Sequence, residues 1–266
     1  MRAILGGAYT YAVMAISSSK KLTITISIII VLALGGFVAA WLLDRDGDKV
    51  VETQDTVTTV TDRTSEPEEP AFDKQQFSLS DPTSIWIVSN KQRPLDPRDY
   101  APSDLVSVGN GQRLRSEAAS ALTELFDAAS SAGYTLRPLS GYRSYSTQVA
   151  VYQSEVNAYG RAVADTQSAR PGTSEHQTGL AIDIGGGGCG IEDCFGDTEE
   201  GKWVAANAYK YGFIIRYPEG KQNVTGYRYE PWHVRYVGKD LSIEMNRQGI
   251  LTLEEFFGLP AAPDYQ

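Results

Sequence analysis

Histidine and cysteine are both scarce in this chain of 266 residues. His176 and His233 are the only imidazoles, and Cys189 and Cys194 are the only thiols. Basic side chains are also in deficit, because 24 Lys and Arg face 33 Asp and Glu, which leaves a net charge of −9. Nucleic acid is bound chiefly through Lys and Arg that neutralise phosphates, so this charge balance argues against a nucleic-acid partner.

One long hydrophobic run lies near the N-terminus. Residues 22–43 carry no charged side chain, and a helix of that length spans the roughly 30 Å of a hydrocarbon core. Lys20 and Lys21 precede the run, so the positive-inside rule places residues 1–21 in the cytoplasm and the rest of the chain outside. A cleaved signal peptide is the alternative, although its apolar region is usually shorter. We predict a single-pass anchor at the cell membrane, and both interpretations export the remainder.

The segment after the hydrophobic run differs in composition from the rest of the chain. Residues 44–75 are acidic and rich in Thr, with few apolar side chains, and this composition predicts a disordered stalk. Residues 76–266 are long enough for one folded domain with its own core. Helical periodicity over residues 113–132 and 145–159 precedes short strands joined partly by short loops. This order favours an α+β fold in which helices pack on a small, mainly antiparallel sheet.

Candidate metal ligands cluster around a strand predicted over residues 178–184. Asp183 shares a strand face with Gly179 and Ala181, whose small side chains leave room above the sheet for an ion or a substrate. His176 precedes this strand and His233 is the other imidazole, so the chain offers the nitrogen and oxygen donors that zinc prefers.

A carboxylate that could act as a base lies beside the second histidine. Pro231 favours an extended or turning backbone at Glu230, which lets this side chain approach water at a metal centre without binding the metal. Spacing alone leaves other interpretations open: the histidines could be ordinary surface residues, Asp183 could cap a turn, and Glu230 could pair with Arg235.

Two motifs in this region resemble those of a known family. SEHQTGLAID (174–183) and EPWHVRYVG (230–238) are similar to the metal motifs of VanY-type D-alanyl-D-alanine carboxypeptidases, which are zinc peptidases of the LAS group. SGYRSYSTQ (140–148), YGFIIRYP (211–218) and the segment 86–106 agree in the same order. The resemblance spans essentially the whole domain and leaves out the anchor and the stalk.

The resemblance implies a site and an activity. It implies that His176, Asp183 and His233 bind Zn²⁺ on the sheet and that Glu230 is the general base and then the proton donor to the leaving amine. Arg143 would aid the oxyanion and hold the substrate, with a structural salt bridge as the alternative. Further substrate contacts are implied, with local packing as the alternative, for Gln148, Ser174 and Trp232.

The implied activity is that of a zinc-dependent D,D-carboxypeptidase, which hydrolyses the terminal D-Ala-D-Ala bond of a peptidoglycan stem peptide. Three alternatives remain: an L,D-carboxypeptidase, a crosslink-cutting endopeptidase with the same zinc chemistry, and a wall-binding module that zinc stabilises without turnover. We expect a monomer. Outside the cytoplasm, two cysteines five residues apart predict a small disulfide loop between Cys189 and Cys194.

Overall fold

Six strands and seven α-helices make up the part of the chain that the computed structural model describes, residues 71–266. The strands are β1 (Leu105–Gly109), β2 (Gln112–Arg115), β3 (Arg137–Ser140), β4 (Ala181–Gly185), β5 (Phe213–Tyr217) and β6 (Glu230–Tyr236). The helices are α1 (Ser116–Ser131), α2 (Tyr145–Tyr159), α3 (Arg161–Gln167), α4 (Glu199–Asn207), α5 (Gln222–Thr225), α6 (Lys239–Gln248) and α7 (Leu253–Phe257).

Four of the strands form one antiparallel sheet in the order β3-β4-β6-β5. The central strands β4 and β6 are buried along their whole length, and β1 and β2 form a separate antiparallel hairpin. Together with the helices, this sheet confirms the predicted α+β class. Its central strands carry Asp183 and His233, two of the candidate metal ligands.

The main core lies between the sheet and the buried face of α1. Leu122 and Leu125 of α1 belong to one buried cluster with Ile182 of β4 and Val234 of β6. A fully buried aliphatic side chain of this size contributes roughly 1.5–3 kcal/mol to folding. The rigid centre of the sheet is therefore the support on which the site is built.

One helix has the bounds that the sequence predicts, and two elements begin later. Helix α2 matches the predicted range 145–159. The helix predicted from residue 113 begins at Ser116, because residues 112–115 pair with β1 instead. Strand β4 begins at Ala181 because Glu175–Thr178 form a 3₁₀ turn that ends at Gly179, whose φ of +68° suits glycine.

The folded unit begins earlier than the predicted boundary at residue 76. Phe72 stacks on Trp86 with ring centroids 5.6 Å apart, and the Lys74 Nζ donates a hydrogen bond to the Phe256 carbonyl. Residues 71–75 thus contact the domain through both the Phe72 ring and the Lys74 ammonium group.

The remaining predictions for the N-terminal region concern residues 1–21, 22–43 and 44–70, which lie outside the described residues. Among residues 71–266, none of the helices combines the length and the apolar character that a bilayer crossing needs.

Candidate metal centre

Strands β4 and β6 bring the first two candidate ligands together. Asp183 and His233 are directly opposite each other in the antiparallel register, so their side chains emerge on the same face of the sheet. The Asp183 Oδ1 lies 3.2 Å from the His233 Nδ1. Both side chains are almost completely buried.

The third candidate ligand comes from the 3₁₀ turn that precedes β4. The His176 Nδ1 lies 2.9 Å from the Gly141 carbonyl oxygen, and its Nε2 lies 3.4 Å from the Asp183 Oδ2. Because a carbonyl only accepts hydrogen bonds, this contact places the imidazole proton on Nδ1 and leaves the Nε2 lone pair directed at Asp183.

The three donor groups fit a divalent metal ion. One donor atom from each residue lies within 4.8 Å of the others. Metal bonds of about 2.0–2.1 Å at tetrahedral angles separate two donors by roughly 3.3 Å, close to the distances that separate Asp183 from the two imidazoles. The buried Asp183 Oδ1 accepts no well-formed hydrogen bond from any described residue, which is costly unless a cation satisfies it. Two imidazoles and a carboxylate are a zinc-type donor set.

Burial and neighbouring charges shift the pKa of all three side chains. Burial and the nearby Arg143 lower the pKa of His176 to about 4, so this imidazole is neutral at physiological pH. Burial works against ionisation of Asp183, yet His176 and His233 hold the pKa of its carboxyl well below the usual range. Burial likewise disfavours the charged form of His233, but contacts with Asp183 and Glu175 raise its pKa to about 9.

Glu230, the predicted base, begins β6 and points into the same site. Its Oε2 lies 3.8 Å from the His233 Nδ1, and the side chain is 9 % exposed. Burial raises the pKa of Glu230 to about 8, with Asp183 adding to the effect and His233 opposing it. A carboxyl group that exchanges its proton near neutral pH suits general acid–base work. The alternative pairing of Glu230 with Arg235 is wrong, because Arg235 binds Glu175.

Arg143 lies at the rim of the cluster, in the loop before α2. Its Nη2 is 3.8 Å from the Asp183 Oδ2, and its Nη1 donates a 3.0 Å hydrogen bond to the Gln148 Oε1. The Gln148 side chain is itself held by a 2.7 Å bond to the Ala169 carbonyl. Arg143 is thus aimed at the site while remaining 21 % exposed.

Two cavities meet at His176, Asp183 and His233, which we call the metal cluster. A small one of about 50 Å³ is lined by Gln148 and Ser174, and an open cleft of about 630 Å³ by Trp232. Arg143, His176 and Glu230 line both of them. The sequence-predicted substrate contacts therefore all face one of the two cavities. Sequence reasoning missed other lining residues, for which no local signal existed: Ser168, Tyr217 and Tyr227 in the small cavity, and Glu155 and Ile191 in the cleft.

The loop that leads into the small cavity is fastened by the C-terminal segment. The Tyr265 hydroxyl accepts a 2.8 Å hydrogen bond from the Arg170 backbone N–H and contacts the hydroxyls of Thr173 and Tyr227 at 3.2 and 3.1 Å. The Arg170 guanidinium also lies over the Tyr265 ring, 4.0 Å from its centroid. This residue therefore helps to fix the path of residues 169–174, which the sequence did not indicate.

A disulfide joins Cys189 to Cys194 and closes a short loop at the cleft. Ile191 and Glu192, inside this loop, line the cleft, and Asp193 lies 3.5 Å from the Arg228 guanidinium. The loop is thus a wall of the cleft.

A second buried ionic cluster lies against the metal cluster. The Glu175 Oε1 accepts 2.7 Å bonds from the Arg216 Nε and the Arg235 Nη1, and Arg216 also binds Glu254 at 2.8 and 3.1 Å. All four side chains are fully buried. We call Glu175, Arg216, Arg235 and Glu254 the arginine network. It touches the metal cluster at one point, where the Glu175 Oε2 lies 3.5 Å from the His233 Nε2.

A metal site with two imidazoles and one carboxylate, and with a buried glutamate beside it, is typical of metal-dependent hydrolases. A family model, VanY D-alanyl-D-alanine carboxypeptidase, matches residues 111–239. YodJ of Bacillus subtilis (strain 168) is 47% identical over 191 residues, which cover 68% of this chain and 69% of YodJ.

Two solved structures are similar in both fold and sequence. The LD-carboxypeptidase LdcB has a TM-score of 0.62 and 47% identity, covering 66% of this chain and 87% of LdcB. A variant of the vancomycin-resistance D,D-pentapeptidase VanY from a VanB-type cassette, in complex with Zn(II), has a TM-score of 0.57 and 37% identity, covering 64% of this chain and 97% of that one. The chain belongs to the VanY family of D-alanyl-D-alanine carboxypeptidases.

Proposed function

We propose that the chain is a zinc-dependent carboxypeptidase that releases the terminal D-alanine from peptidoglycan stem peptides. The observation that carries this proposal is the convergence of His176, Asp183 and His233 where a small cavity meets an open cleft, with Glu230 beside them. The zinc-bound VanY structure supports Zn²⁺ as the ion.

His176, Asp183 and His233 would hold the metal, which supplies Lewis-acid polarisation of the scissile carbonyl and acidifies water. Glu230 takes the proton from the attacking water and then gives it to the leaving amine. Its burial keeps the carboxyl in a dry setting in which both protonation states are accessible. Arg143 stabilises the negative charge that develops on the carbonyl oxygen.

Each of the two cavities binds a different part of the substrate. A D-alanine residue has a single methyl side chain and, at the end of a peptide, a carboxylate. The small cavity of about 50 Å³ suits the methyl group, while the guanidinium of Arg143 and the side chains of Gln148 and Ser174 are available to the carboxylate. The cleft lined by Trp232 takes the residues on the amino side of the scissile bond.

Two candidate activities differ in the length of the stem peptide that is cleaved. The first is D,D-carboxypeptidase activity on a pentapeptide, where D-alanine also precedes the scissile bond, and the family model supports it. The second is L,D-carboxypeptidase activity on a tetrapeptide, where the third stem residue takes that position. The higher identity to LdcB than to the zinc-bound VanY favours this second activity.

Product analysis on defined peptides tests these activities. The full chain, loaded with zinc, is incubated with a muramyl tetrapeptide and a muramyl pentapeptide, and the products are identified by mass spectrometry. We expect release of D-alanine from one of them and its loss with a chelator. Cleavage of crosslinked dimers with no free D-alanine would instead indicate an endopeptidase, and binding to sacculi without any product would indicate a wall-binding module.

Substitution of the base separates catalysis from metal binding. Glu230→Gln keeps the shape of the side chain but cannot take a proton, so we expect kcat to fall by about 10²–10⁴-fold while zinc stays bound. Zinc content is measured by atomic absorption on the same sample, and Glu219→Gln on the loop after β5 is the control. Normal turnover in Glu230→Gln would contradict the assigned role.

The proposal extends to where the protein acts. The charge pattern around residues 22–43 supports a single-pass membrane anchor with the catalytic domain outside the cytoplasm, acting as a monomer. Protease accessibility in intact and lysed cells tests the orientation, and sedimentation of the detergent-solubilised chain tests the oligomeric state.

A further inference from the structure

Glu175 has two oxygens with different surroundings. The Oε1 is held by Arg216 and Arg235, whose hydrogen bonds fix the carboxylate in place. The Oε2 is buried and accepts no hydrogen bond from any described residue. A fully buried carboxylate oxygen without a donor is costly, so it calls for a partner.

The His233 ring places a nitrogen that also lacks a hydrogen-bond partner opposite the Glu175 Oε2. The His233 Nε2 is buried, makes no hydrogen bond to any described residue, and lies 3.5 Å from the Glu175 Oε2. The opposite ring nitrogen, Nδ1, lies 3.2 Å from Asp183. One nitrogen of His233 therefore faces the other donors of the metal site, while the second faces a carboxylate.

This arrangement determines which nitrogen of His233 keeps its proton when a metal binds. A neutral imidazole has one N–H and one lone pair, and a carboxylate accepts a hydrogen bond while it cannot donate one. With Glu175 ionised between two guanidinium groups, the Nε2 is the site of the proton and the Nδ1 lone pair is left for the metal. Carboxylates behind a ligating histidine orient the ring and make it a stronger ligand.

We propose that Glu175 is a positioning residue for the metal centre, which holds His233 in the tautomer and orientation that bind the ion through Nδ1. The arginine network in turn holds Glu175. The inference rests on the zinc site of the proposed function and assigns a role to a buried side chain behind a metal ligand, which also lines the small cavity. His176 has the complementary arrangement, since its Nδ1 is tied to the Gly141 carbonyl and its Nε2 faces the site.

The test compares two substitutions in the same network. Glu175→Gln removes the charge that faces His233, whereas Glu254→Gln removes a buried charge from the same Arg216 without facing any metal ligand. In the full chain, the zinc dissociation constant is measured by competition with a chromophoric chelator. We expect Glu175→Gln to raise it by about 10- to 100-fold and Glu254→Gln to change it less than about twofold.

The outcomes separate the inference from the proposed function. Similar zinc affinities in wild type and Glu175→Gln, or an equal loss in both variants, would overturn the role of Glu175 and leave the zinc enzyme intact. A wild-type chain that binds no zinc would overturn the proposed function itself, and this inference with it.

A measurement on the wild type covers the case in which Glu175→Gln does not fold. With two histidines in the chain, a long-range ¹H–¹⁵N spectrum of the zinc-loaded, ¹⁵N-histidine-labelled protein contains two imidazole spin systems. We expect one ring protonated at Nδ1, from His176, and one at Nε2, from His233. Two rings protonated at the same nitrogen would contradict the proposal.

Discussion

The metal cluster and the arginine network are two buried groups of polar side chains that share a boundary but differ in how well they are satisfied. In the network, the Glu175 Oε1 and both oxygens of Glu254 are bonded to guanidinium groups at 2.7–3.1 Å. In the metal cluster, the Asp183 Oδ1 is buried without a well-formed hydrogen bond from the described residues.

This difference indicates what each group does. Buried charges persist in proteins when they are paired and hydrogen-bonded, so the network, apart from the Glu175 Oε2, indicates structural support. Donors that converge on one point without satisfying one another are costly to the apoprotein, and a cation accounts for them. Apart from Glu175, which faces His233, substitutions in the network should therefore lower mainly stability, and those in the metal cluster mainly function.

The largest effect is expected from a metal ligand. Asp183→Asn removes the only anionic donor of the cluster, and because the metal supplies several kcal/mol of transition-state stabilisation, D-alanine release should fall about a thousandfold or more. The free energy of unfolding of the metal-free protein should fall by less than in the arginine network, because Asp183 Oδ1 has no well-formed hydrogen bond and only its charge opposite His233 is lost. Activity assays and urea denaturation in chelator measure the two effects. A large loss of apoprotein stability would erase the distinction between the two clusters.

A smaller effect of the opposite kind is expected in the arginine network. Arg235→Met removes the bonds to Glu175 and to the Ile85 and Ile87 carbonyls, which leaves buried acceptors behind. Breaking a buried ion pair in this way destabilises a protein by about 3–5 kcal/mol. Urea denaturation of the metal-free chain checks this value. A loss below about 1 kcal/mol would mean that the network is not a structural support.

The smallest effect is expected from an ion pair outside both clusters. The Lys239 Nζ lies 2.7 Å from the Glu124 Oε2, and both side chains are about half exposed. Exposed pairs contribute about 0–1 kcal/mol, so Lys239→Ala should leave both the activity and the midpoint of denaturation nearly unchanged. The same two assays provide the baseline, and a shift as large as that of Arg235→Met would show that the effect does not depend on burial.

The metal cluster was easier to predict than the network beside it. His176, Asp183, His233 and Glu230 lie in two short motifs with fixed spacing, and the sheet register alone brings Asp183 opposite His233. Glu175 lies inside the first motif, yet nothing local indicates that its partners are 41 and 60 residues away. The pairing arises only when β5 and β6 fold beside each other, which the pattern of a single segment does not reveal.

Boundaries that depend on tertiary pairing were also missed. Residues 112–115 form strand β2 and pair with β1, although in the sequence they continue the helical periodicity of α1. Phe72 lies in an acidic segment, and its position becomes clear only once Trp86 and Phe256 provide a surface for it. In each case a distant partner overrides a local pattern.

The fastening of residues 169–174 by Tyr265 bears on how the protein is prepared for experiments. Trimming the last two residues to promote crystallisation would delete the hydroxyl that holds Arg170 and Thr173, and with it part of the frame of the small cavity. An affinity label fused directly to Gln266 would begin next to Tyr265. Recombinant samples are therefore better tagged at the other end, or through a generous spacer.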